Sequence, residues 1–186
     1  GKRIAELYID PLTAHEFIVA LKKSSSKQTT NFSFLQLISS TLEMRPLLRT
    51  RVKELEDIEN SIVQHHEFMI TTEPSVYDEE YDEFLNSIKT AFFFLEWVDE
   101  KDEEFLLEKY NVRPGEIRVK LETADWLLYA LQELTRISKM QSLLKEITKL
   151  RIQIKYGVKE ELIPLLKLKN IGRVRARKLF NNGIKD

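Results

Sequence analysis

The chain contains no cysteine, only five glycines and no long apolar run. The lack of cysteine excludes disulfides and zinc knuckles, and it fits a reducing cytoplasm. No glycine lies in a GxxxxGK[ST] or GxGxxG pattern, so a phosphate-cradling nucleotide loop is absent. The longest apolar stretch, residues 91–98, is interrupted by Glu96 and is too short to span a bilayer. We therefore expect a soluble, cytoplasmic protein without a membrane partner.

The size of the chain and its charge distribution further limit the number of domains and the kind of partner to expect. A chain of 186 residues, 42% of them hydrophobic, can bury the core of one domain with at most an appendage. The net charge of −1 conceals an asymmetry. Residues 73–104 hold twelve acids and two lysines, whereas residues 138–186 hold thirteen lysines and arginines and four acids. The C-terminal part is therefore the part expected to meet an anionic partner.

Apolar residues recur at three- and four-residue spacings almost throughout, which predicts an all-α helical bundle. Asp10 and Pro11 are typical of a helix start, and this helix should run to about Lys23. A loop over residues 24–30 follows. Only residues 3–9 are candidates for an extended segment. The remaining helices are predicted over residues 32–42, 46–68, 78–97, 102–110, 115–137 and 138–156.

Side chains that could bind a metal or catalyse a reaction form no recognisable site. Acids at the start of the fourth predicted helix suit the positive end of its dipole, and a metal site there is the less favoured alternative. His65 and His66 would point about 100° apart on a helix, and His15 offers no suitable third ligand. No nucleophilic triad or paired-carboxylate arrangement is recognisable. The acids concerned are Asp78, Glu79, Glu80, Asp82 and Glu83.

Residues 170–179, NIGRVRARKL, combine a turn with clustered positive charge. We predict helical stretches at 162–168 and 173–181, joined by a hairpin at Ile171 and Gly172, in which Gly172 can take a positive φ and Asn170 is the next most tolerant residue. Such a turn presents the first amides of the second helix to an anion. The alternative is a helix end followed by a solvated basic helix. The candidate phosphate-binding residues are Asn170, Gly172, Arg173, Arg175, Arg177 and Lys178.

Trp126 lies off the core face of the helix predicted over residues 115–137. A helical wheel places the core face at Ile117, Leu121, Ala124, Leu128 and Leu131. Trp126 shares the other side with Arg118, Glu122, Tyr129, Glu133 and Arg136. A tryptophan among arginines and beside a tyrosine is a plausible platform for an unpaired base. The alternative is that Trp126 packs against a neighbouring helix.

Three blocks resemble one family, the archaeal Hjm-type superfamily 2 DNA repair helicases, which are Ski-like and related to the helicase region of DNA polymerase theta. GKRIAELYIDPLTA, residues 1–14, is similar to the exit from the family's winged-helix domain. RPGEIRVKLETADWLLYA, residues 113–130, resembles its ratchet helix. YGVKEELIPLLKLKNIGRVRARKLFNNGI, residues 156–184, resembles the start of its terminal helix-hairpin-helix domain.

The resemblance implies three parts of a larger protein. Residues 1–9 would be the tail of a winged-helix domain, residues 10–156 the ratchet bundle, and residues 157–186 a truncated helix-hairpin-helix segment. The parent would be an ATP-dependent 3′–5′ DNA helicase, and thus an ATP hydrolase, acting in repair of stalled replication forks. ATP and Mg²⁺ would bind its motor domains, and this chain would hold neither cofactor nor catalytic residue.

The same resemblance implies partners and residue roles. The partners would be single-stranded or forked DNA, the parent's own motor and winged-helix domains, and replication or repair proteins, with the chain a monomer. Trp126 would stack on the unwound strand and prevent slippage. Where the family often has an arginine seven residues earlier, this chain has Val119. The element at residues 175–177 resembles the RAR motif that holds the exiting strand and restrains the motor. The candidate strand contacts on the long helix are Arg118, Lys120, Trp126 and Tyr129.

Two other functions stay open at this point. One is the equivalent module of an RNA helicase, which a preference for RNA over DNA of the same sequence would favour. The other is a helical protein-interaction domain whose acidic helix, residues 78–97, docks a partner.

Overall fold

The computed structural model describes residues 5–186 of the chain. These residues form α-helices and short 3-10 helices, with no β-strand among them, so the predicted all-α fold is confirmed. Short 3-10 helices occupy Leu42–Met44, Val52–Glu54, His66–Phe68, Glu160–Leu162 and Pro164–Lys167. The α-helices that follow residue 10 are α1 (Pro11–Ser24), α2 (Asn31–Ser39), α3 (Leu55–His65), α4 (Tyr81–Val98), α5 (Glu103–Tyr110), α6 (Pro114–Ile137), α7 (Gln141–Tyr156) and α8 (Arg173–Asn181).

Helix starts with a capping side chain lie where the sequence predicts them. The Asp10 carboxylate accepts the Leu12 N–H at 2.8 Å before α1, with proline at the first helical position. The Asp102 carboxylate accepts the Phe105 N–H at 2.8 Å before α5. These short-range signals can be read from the sequence because both partners lie within three residues of each other.

The helix predicted over residues 46–68 is wrong in its first part, because α3 begins only at Leu55 after a 3-10 turn. Side chains of α4 bind the preceding backbone instead. The Leu48 N–H donates to Thr90 Oγ1 at 3.0 Å, and the Thr50 N–H donates to Asn86 Oδ1 at 2.7 Å. Amides held in this way do not need helical carbonyl partners. The segment over residues 45–51 therefore runs irregularly across α4.

Three other predicted helix boundaries shift. The helix predicted over 32–42 ends at Ser39, where the next two hydroxyl side chains bond back to backbone carbonyls and compete with helix continuation. Helix α4 begins at Tyr81, so Asp78, Glu79 and Glu80 precede it, and Asp78 instead accepts the Ser75 N–H at 2.7 Å. Helix α7 begins at Gln141 because Lys139 takes a left-handed φ of 58°.

The extended segment expected over residues 3–9 is not seen in its described part. Residues 1–4 lie outside the described residues. Ala5 and Glu6 are helical, and Tyr8 takes a φ of 56°. Leu7 and Ile9 are buried in the bundle core, so this segment packs onto the helices.

The bundle core lies between α2, α4, α6 and α7. The predicted core face of α6 is confirmed, since Ile117, Ala124, Leu128 and Leu131 are buried and Leu121 packs partly buried against the core. Burying a large apolar side chain contributes roughly 1.5–3 kcal/mol. On α4 the fully buried side chains include Ile88, Phe93 and Phe94.

A second, small apolar cluster lies under residues 157–186. It buries Val158, Leu162, Leu165 and Ala176, with partly buried neighbours that include Ile171 and Phe180. The predicted α8 is present at Arg173–Asn181, whereas the stretch expected over 162–168 consists of 3-10 turns.

Gly172 does not take the positive φ that its lack of a side chain would permit. Gly172 has φ −97° and ψ −176°, an extended conformation that any residue adopts at a helix N-cap. Asn170 supplies the left-handed residue of the turn instead, with a φ of 63°. A Cβ at Gly172 would meet no atom within 4 Å. The hairpin therefore depends on asparagine rather than on glycine.

Gly157 is the glycine that the fold requires. It ends α7 with a φ of 65°. A Cβ there would lie 2.6 Å from Arg173 Nη1 and 2.7 Å from two carbons of the Trp97 ring. Both the conformation and the close approach favour glycine.

We expect Gly157→Ala to lower the free energy of unfolding by about 1–3 kcal/mol, because a non-glycine residue in this conformation is strained. Urea or thermal denaturation measures the change. The matched control is Gly115→Ala in the first turn of α6, where a Cβ meets nothing within 4 Å. The control should be neutral or stabilise the fold by up to about 1 kcal/mol. Equal effects of the two substitutions would contradict this assignment.

Candidate nucleic-acid interface

Trp126 lies near the middle of α6 at intermediate exposure. One side of its ring packs against the bundle core. Its Nε1 donates a hydrogen bond to the Leu7 carbonyl at 3.1 Å, which fixes the orientation of the indole. The ring is therefore partly packed, as the second interpretation expects, and partly accessible, while stacking on a base stays a prediction. A fixed, accessible aromatic ring suits stacking better than a mobile one.

The other residues on the exposed side of α6 differ in their exposure and charge. Arg118 is highly exposed, with 82% of its side chain accessible, and it pairs with Glu122 at 3.0 Å one turn later. Tyr129 is 41% exposed. Val119 is 61% exposed and has no charge to offer a phosphate.

Lys120, another predicted strand contact, points toward the irregular segment over residues 45–51. Its Nζ donates to the Pro46 carbonyl at 2.7 Å and so holds the irregular segment that crosses α4. Burial lowers the pKa of Lys120 from its ordinary value, and the nearby Glu116 charge opposes this only in part. The structure thus gives Lys120 a contact within the fold.

Arg151 of α7 joins this surface, and sequence reasoning missed it. Its guanidinium lies 4.9 Å from the centre of the Tyr129 ring, and its Nε pairs with Asp125 at 2.9 Å. Arg151 is far from Tyr129 in the sequence, so no spacing rule within one helix could reveal the contact. We call the surface formed by Arg118, Val119, Glu122, Asp125, Trp126, Tyr129 and Arg151 the α6 face.

Charge on and beside the α6 face is largely compensated. Each of its arginines pairs with a carboxylate, and Arg136 in the last turn of α6 pairs with Glu133. Exposed ion pairs contribute only about 0–1 kcal/mol. A phosphate can therefore replace one of these carboxylates at little cost in free energy.

Two of the predicted phosphate-binding residues in the basic C-terminal segment, Arg177 and Arg173, bind other parts of the fold. The Arg177 guanidinium donates to both oxygens of Glu100, at 2.8 and 2.6 Å, and also pairs with Glu161 at 2.7 Å. Arg173 lies over the Trp97 ring at 4.5 Å and donates to the Lys101 carbonyl at 2.9 Å. These arginines fasten α8 to the end of α4.

The other candidates of this segment face solvent. Arg175 is exposed and donates to the Asn170 carbonyl at 3.0 Å, and Lys178 is exposed on the same helix. Gly172 precedes the first amides of α8. Of the four basic candidates, Arg175 and Lys178 are the two that a phosphate reaches without breaking a contact to the bundle.

Glu100 ends α4 in a left-handed conformation, with a φ of 67°, at a position where glycine is the common choice. Its carboxylate explains the exception, because it also accepts the Lys159 N–H at 3.0 Å. Burial by itself would raise the pKa of Glu100. The hydrogen bonds from Arg177 and Lys159 outweigh burial and lower that pKa below its ordinary value. The ionised carboxylate is thus stabilised by folding.

Two further observations concern residues 5–186 as a whole. Within this range no group of three or more histidine, aspartate or glutamate side chains is arranged to hold a metal ion. In the same range no helix combines the length and the apolar character needed to cross a membrane.

The described residues thus form a helical bundle with a tryptophan-bearing long helix and a basic C-terminal segment. A family model described as archaeal helicase, domain 4, matches residues 32–157. The chain belongs to this family, and the predicted resemblance to archaeal superfamily 2 DNA helicases is confirmed.

Similar proteins support this membership. The ATP-dependent DNA helicase Hel308 of Methanococcus vannielii is 39% identical over the whole chain, which covers 24% of that relative. The proteins of the same name from Thermococcus kodakarensis and Methanocaldococcus jannaschii are each 38% identical over the whole chain, which covers 16% and 14% of them. The chain thus spans less than a quarter of the length of these relatives.

We expect Arg177→Ala to destabilise the fold by about 1–3 kcal/mol, because it leaves a partly buried carboxylate without its charged hydrogen-bond donor. Chemical denaturation at pH 7 measures this loss. Lys178→Ala, one residue along the same helix and exposed, is the control and should change stability little.

The pH dependence provides a second check on the same contact. Because folding lowers the pKa of Glu100, its stabilisation is complete above the ordinary value of 4.5 and is lost as the pH falls through the lower folded-state value. The difference between wild type and Arg177→Ala should therefore shrink below about pH 4.5. A difference that is independent of pH would show that Glu100 is not the relevant partner.

Proposed function

We propose that this chain is the single-stranded-DNA-binding ratchet module of an ATP-dependent 3′–5′ DNA helicase that acts in repair of stalled replication forks. The relatives are named ATP-dependent DNA helicases, which supports DNA as the polymer and ATP as the energy source. The observation that carries the proposal is the indole of Trp126, held by the Leu7 carbonyl on the accessible side of the longest described helix.

The proposed role of Trp126 is to stack on a base of the unwound strand. Base stacking on an aromatic ring contributes about 1–3 kcal/mol and tolerates any sequence. Between motor steps, this interaction opposes backward movement of the strand. Arg118, exposed and only weakly engaged by Glu122, supplies a cation for the neighbouring phosphate. Tyr129 provides a second aromatic ring one turn away.

We further propose a domain division at Gly157. Residues 10–156 form the ratchet bundle, and residues 157–186 open a helix-hairpin-helix segment with its own small apolar cluster. Residues 1–9 are the tail of a winged-helix domain. In the whole protein, ATP and Mg²⁺ bind the motor domains, which contact this module together with the winged-helix domain. We expect a monomer in the cytoplasm.

The basic helix α8 is proposed to contact the phosphates of the exiting strand through Arg175 and Lys178. Arg173 and Arg177 position this helix by their contacts with α4 and the turn after it. The RAR motif then divides into one residue that faces the strand and one that anchors the segment.

Docking of a protein partner is a second candidate function, favoured by one observation. A cleft of about 740 Å³ lies between α1 and the region around the start of α4, and its lining includes Glu16, Glu79, Glu80 and Glu83 beside apolar Leu37. Loss of a basic protein partner after charge reversal at Glu79 and Glu80, with DNA binding retained, would support it. For the strand contact itself, the named relatives favour DNA over RNA.

We expect Trp126→Ala to weaken single-stranded DNA binding by about 1–3 kcal/mol through loss of stacking. Fluorescence anisotropy with a labelled oligonucleotide measures the affinity. Trp126→Phe keeps a ring that stacks but loses the bond to Leu7, so it should retain most of the affinity. In the full-length helicase, Trp126→Ala should reduce unwinding more than ATP hydrolysis.

Because Trp126 is partly buried, its removal also lowers stability, and circular dichroism at the assay temperature must show that the variant is folded. Unchanged affinity in a folded Trp126→Ala variant would refute the ratchet role. A folded Trp126→Phe variant that loses as much affinity as Trp126→Ala would point to the Leu7 bond rather than to stacking.

Salt dependence tests the proposed phosphate contacts of α8. The double substitution Arg175→Ala with Lys178→Ala should reduce the slope of log affinity against log salt by about 0.7 for each phosphate that the protein no longer neutralises. Titrations at several salt concentrations give the slope. Removal of Lys22 and Lys53, two exposed lysines outside this segment, is the control and should leave it unchanged. Equal slopes for both double variants would exclude α8 from the strand path.

A further inference from the structure

Tyr8 is 85% exposed, although it lies between two residues that are buried. Leu7 and Ile9, on either side of it, both pack into the bundle core. The backbone is therefore anchored before and after Tyr8, which restricts where its ring can lie on the surface. An exposed ring on an anchored backbone can bind a partner with little loss of conformational entropy.

The backbone of Tyr8 adopts a conformation that suits glycine or asparagine better than tyrosine. Its φ of 56° is left-handed, and its N–H donates to the Ala5 carbonyl at 3.4 Å in the turn that ends a short helical stretch. Glycine is the common residue at such a helix end, and a bulky residue is strained there. An exposed ring adds little packing to the fold, so the reason for a tyrosine at this position lies in a contact with something else.

Tyr8 lies close to the indole of Trp126. The carbonyl that accepts the Trp126 Nε1 hydrogen bond at 3.1 Å belongs to Leu7, whose peptide group continues directly into Tyr8. Covalent geometry therefore puts the Tyr8 Cα atom within about 6 Å of Trp126 Nε1. A base that neighbours one stacked on Trp126 is thus within reach of the Tyr8 ring.

The surroundings of Tyr8 favour contact with a base over contact with a phosphate. Asp10 caps α1, and the Glu43 carboxylate accepts the Asp10 N–H at 2.8 Å and the Thr13 hydroxyl at 2.7 Å. Glu6 is exposed in the same segment. These acids offer a phosphate no positive charge, whereas the face of an aromatic ring stacks on any base.

We propose that Tyr8 is a further aromatic contact of the unwound strand and that its ring stacks on a base next to the one held by Trp126. This role rests on the proposed function, since it extends the path of the strand from Trp126 onto the segment before α1. The Leu7 carbonyl links the two residues and limits the distance between their rings. Stacking is also a function that glycine, the common residue in this conformation, could not supply.

Tyr8→Asn tests the proposal, because asparagine tolerates the left-handed conformation and has no ring. Binding of a labelled single-stranded oligonucleotide of mixed sequence to the whole chain should weaken about five-fold or more, as expected for the loss of one stacked base. The slope of log affinity against log salt should stay unchanged, because no phosphate contact is removed. Tyr8→Phe keeps the ring and should retain the affinity. Fluorescence anisotropy at several salt concentrations measures both quantities.

The matched control is Tyr77→Asn, which removes a 94% exposed tyrosine from the acidic turn before α4 and should leave the affinity unchanged. The melting temperature and the tryptophan emission of Tyr8→Asn show whether the substitution disturbs the fold or the Trp126 indole. The emission should be unchanged, and the melting temperature unchanged or higher because strain is relieved. Tyr8→Gly is a second variant without a ring. If both variants fail to fold, the ring is part of the fold and the proposed role is wrong.

Normal affinity of a folded Tyr8→Asn or Tyr8→Gly chain would overturn the proposed role, and so would an equal loss of affinity in Tyr8→Phe. A smaller salt slope in Tyr8→Asn would show a phosphate contact instead of stacking. These results differ from a failure of the proposed function. Weakened binding in Trp126→Ala with normal binding in Tyr8→Asn would overturn the role of Tyr8 alone, whereas failure of the wild-type chain to bind the oligonucleotide at low salt would overturn both.

Discussion

The indole of Trp97 is the contact on which the arrangement of the C-terminal segment depends. Its Nε1 donates to the Ile154 carbonyl at 2.8 Å, which ties the end of α4 to the end of α7. Arg173 lies over the ring, and Gly157 approaches it where no Cβ fits. The cluster under residues 157–186 has four fully buried apolar residues, too small a core to hold the segment by itself. Trp97 therefore sets where α8 stands relative to the bundle.

Features that depend on neighbours in sequence are predictable, whereas those that depend on tertiary partners are not. The core face of α6 and the starts of α1 and α5 follow from apolar spacing and from capping residues within three positions. The irregular path of residues 45–51 escapes prediction because their amides bind Thr90 and Asn86 of α4, which no local pattern reveals. The hairpin turn escapes it because glycine is the usual left-handed residue, while here asparagine takes that place.

The same division applies to the candidate site. The position of Trp126 off the core face of α6 follows from the helical period, but its partial burial, its bond to Leu7 and the neighbouring Arg151 require the fold. Charge clusters are the least reliable guide. Arg177 looks in sequence like its neighbour Lys178, yet the carboxylates of Glu100 and Glu161 bind it. Only a structure distinguishes a cation that is committed from one that is free for a phosphate.

The pairing of the arginines on the α6 face with carboxylates has a kinetic consequence. A surface whose positive charges are already compensated exerts little long-range attraction on a polyanion, so it gains little from electrostatic steering. A strand would reach it chiefly through tethering to another part of the same protein, which raises the local concentration without any added affinity. Weak attraction also permits rapid release. Such a surface suits a polymer that binds briefly and is released again, rather than one that stays bound.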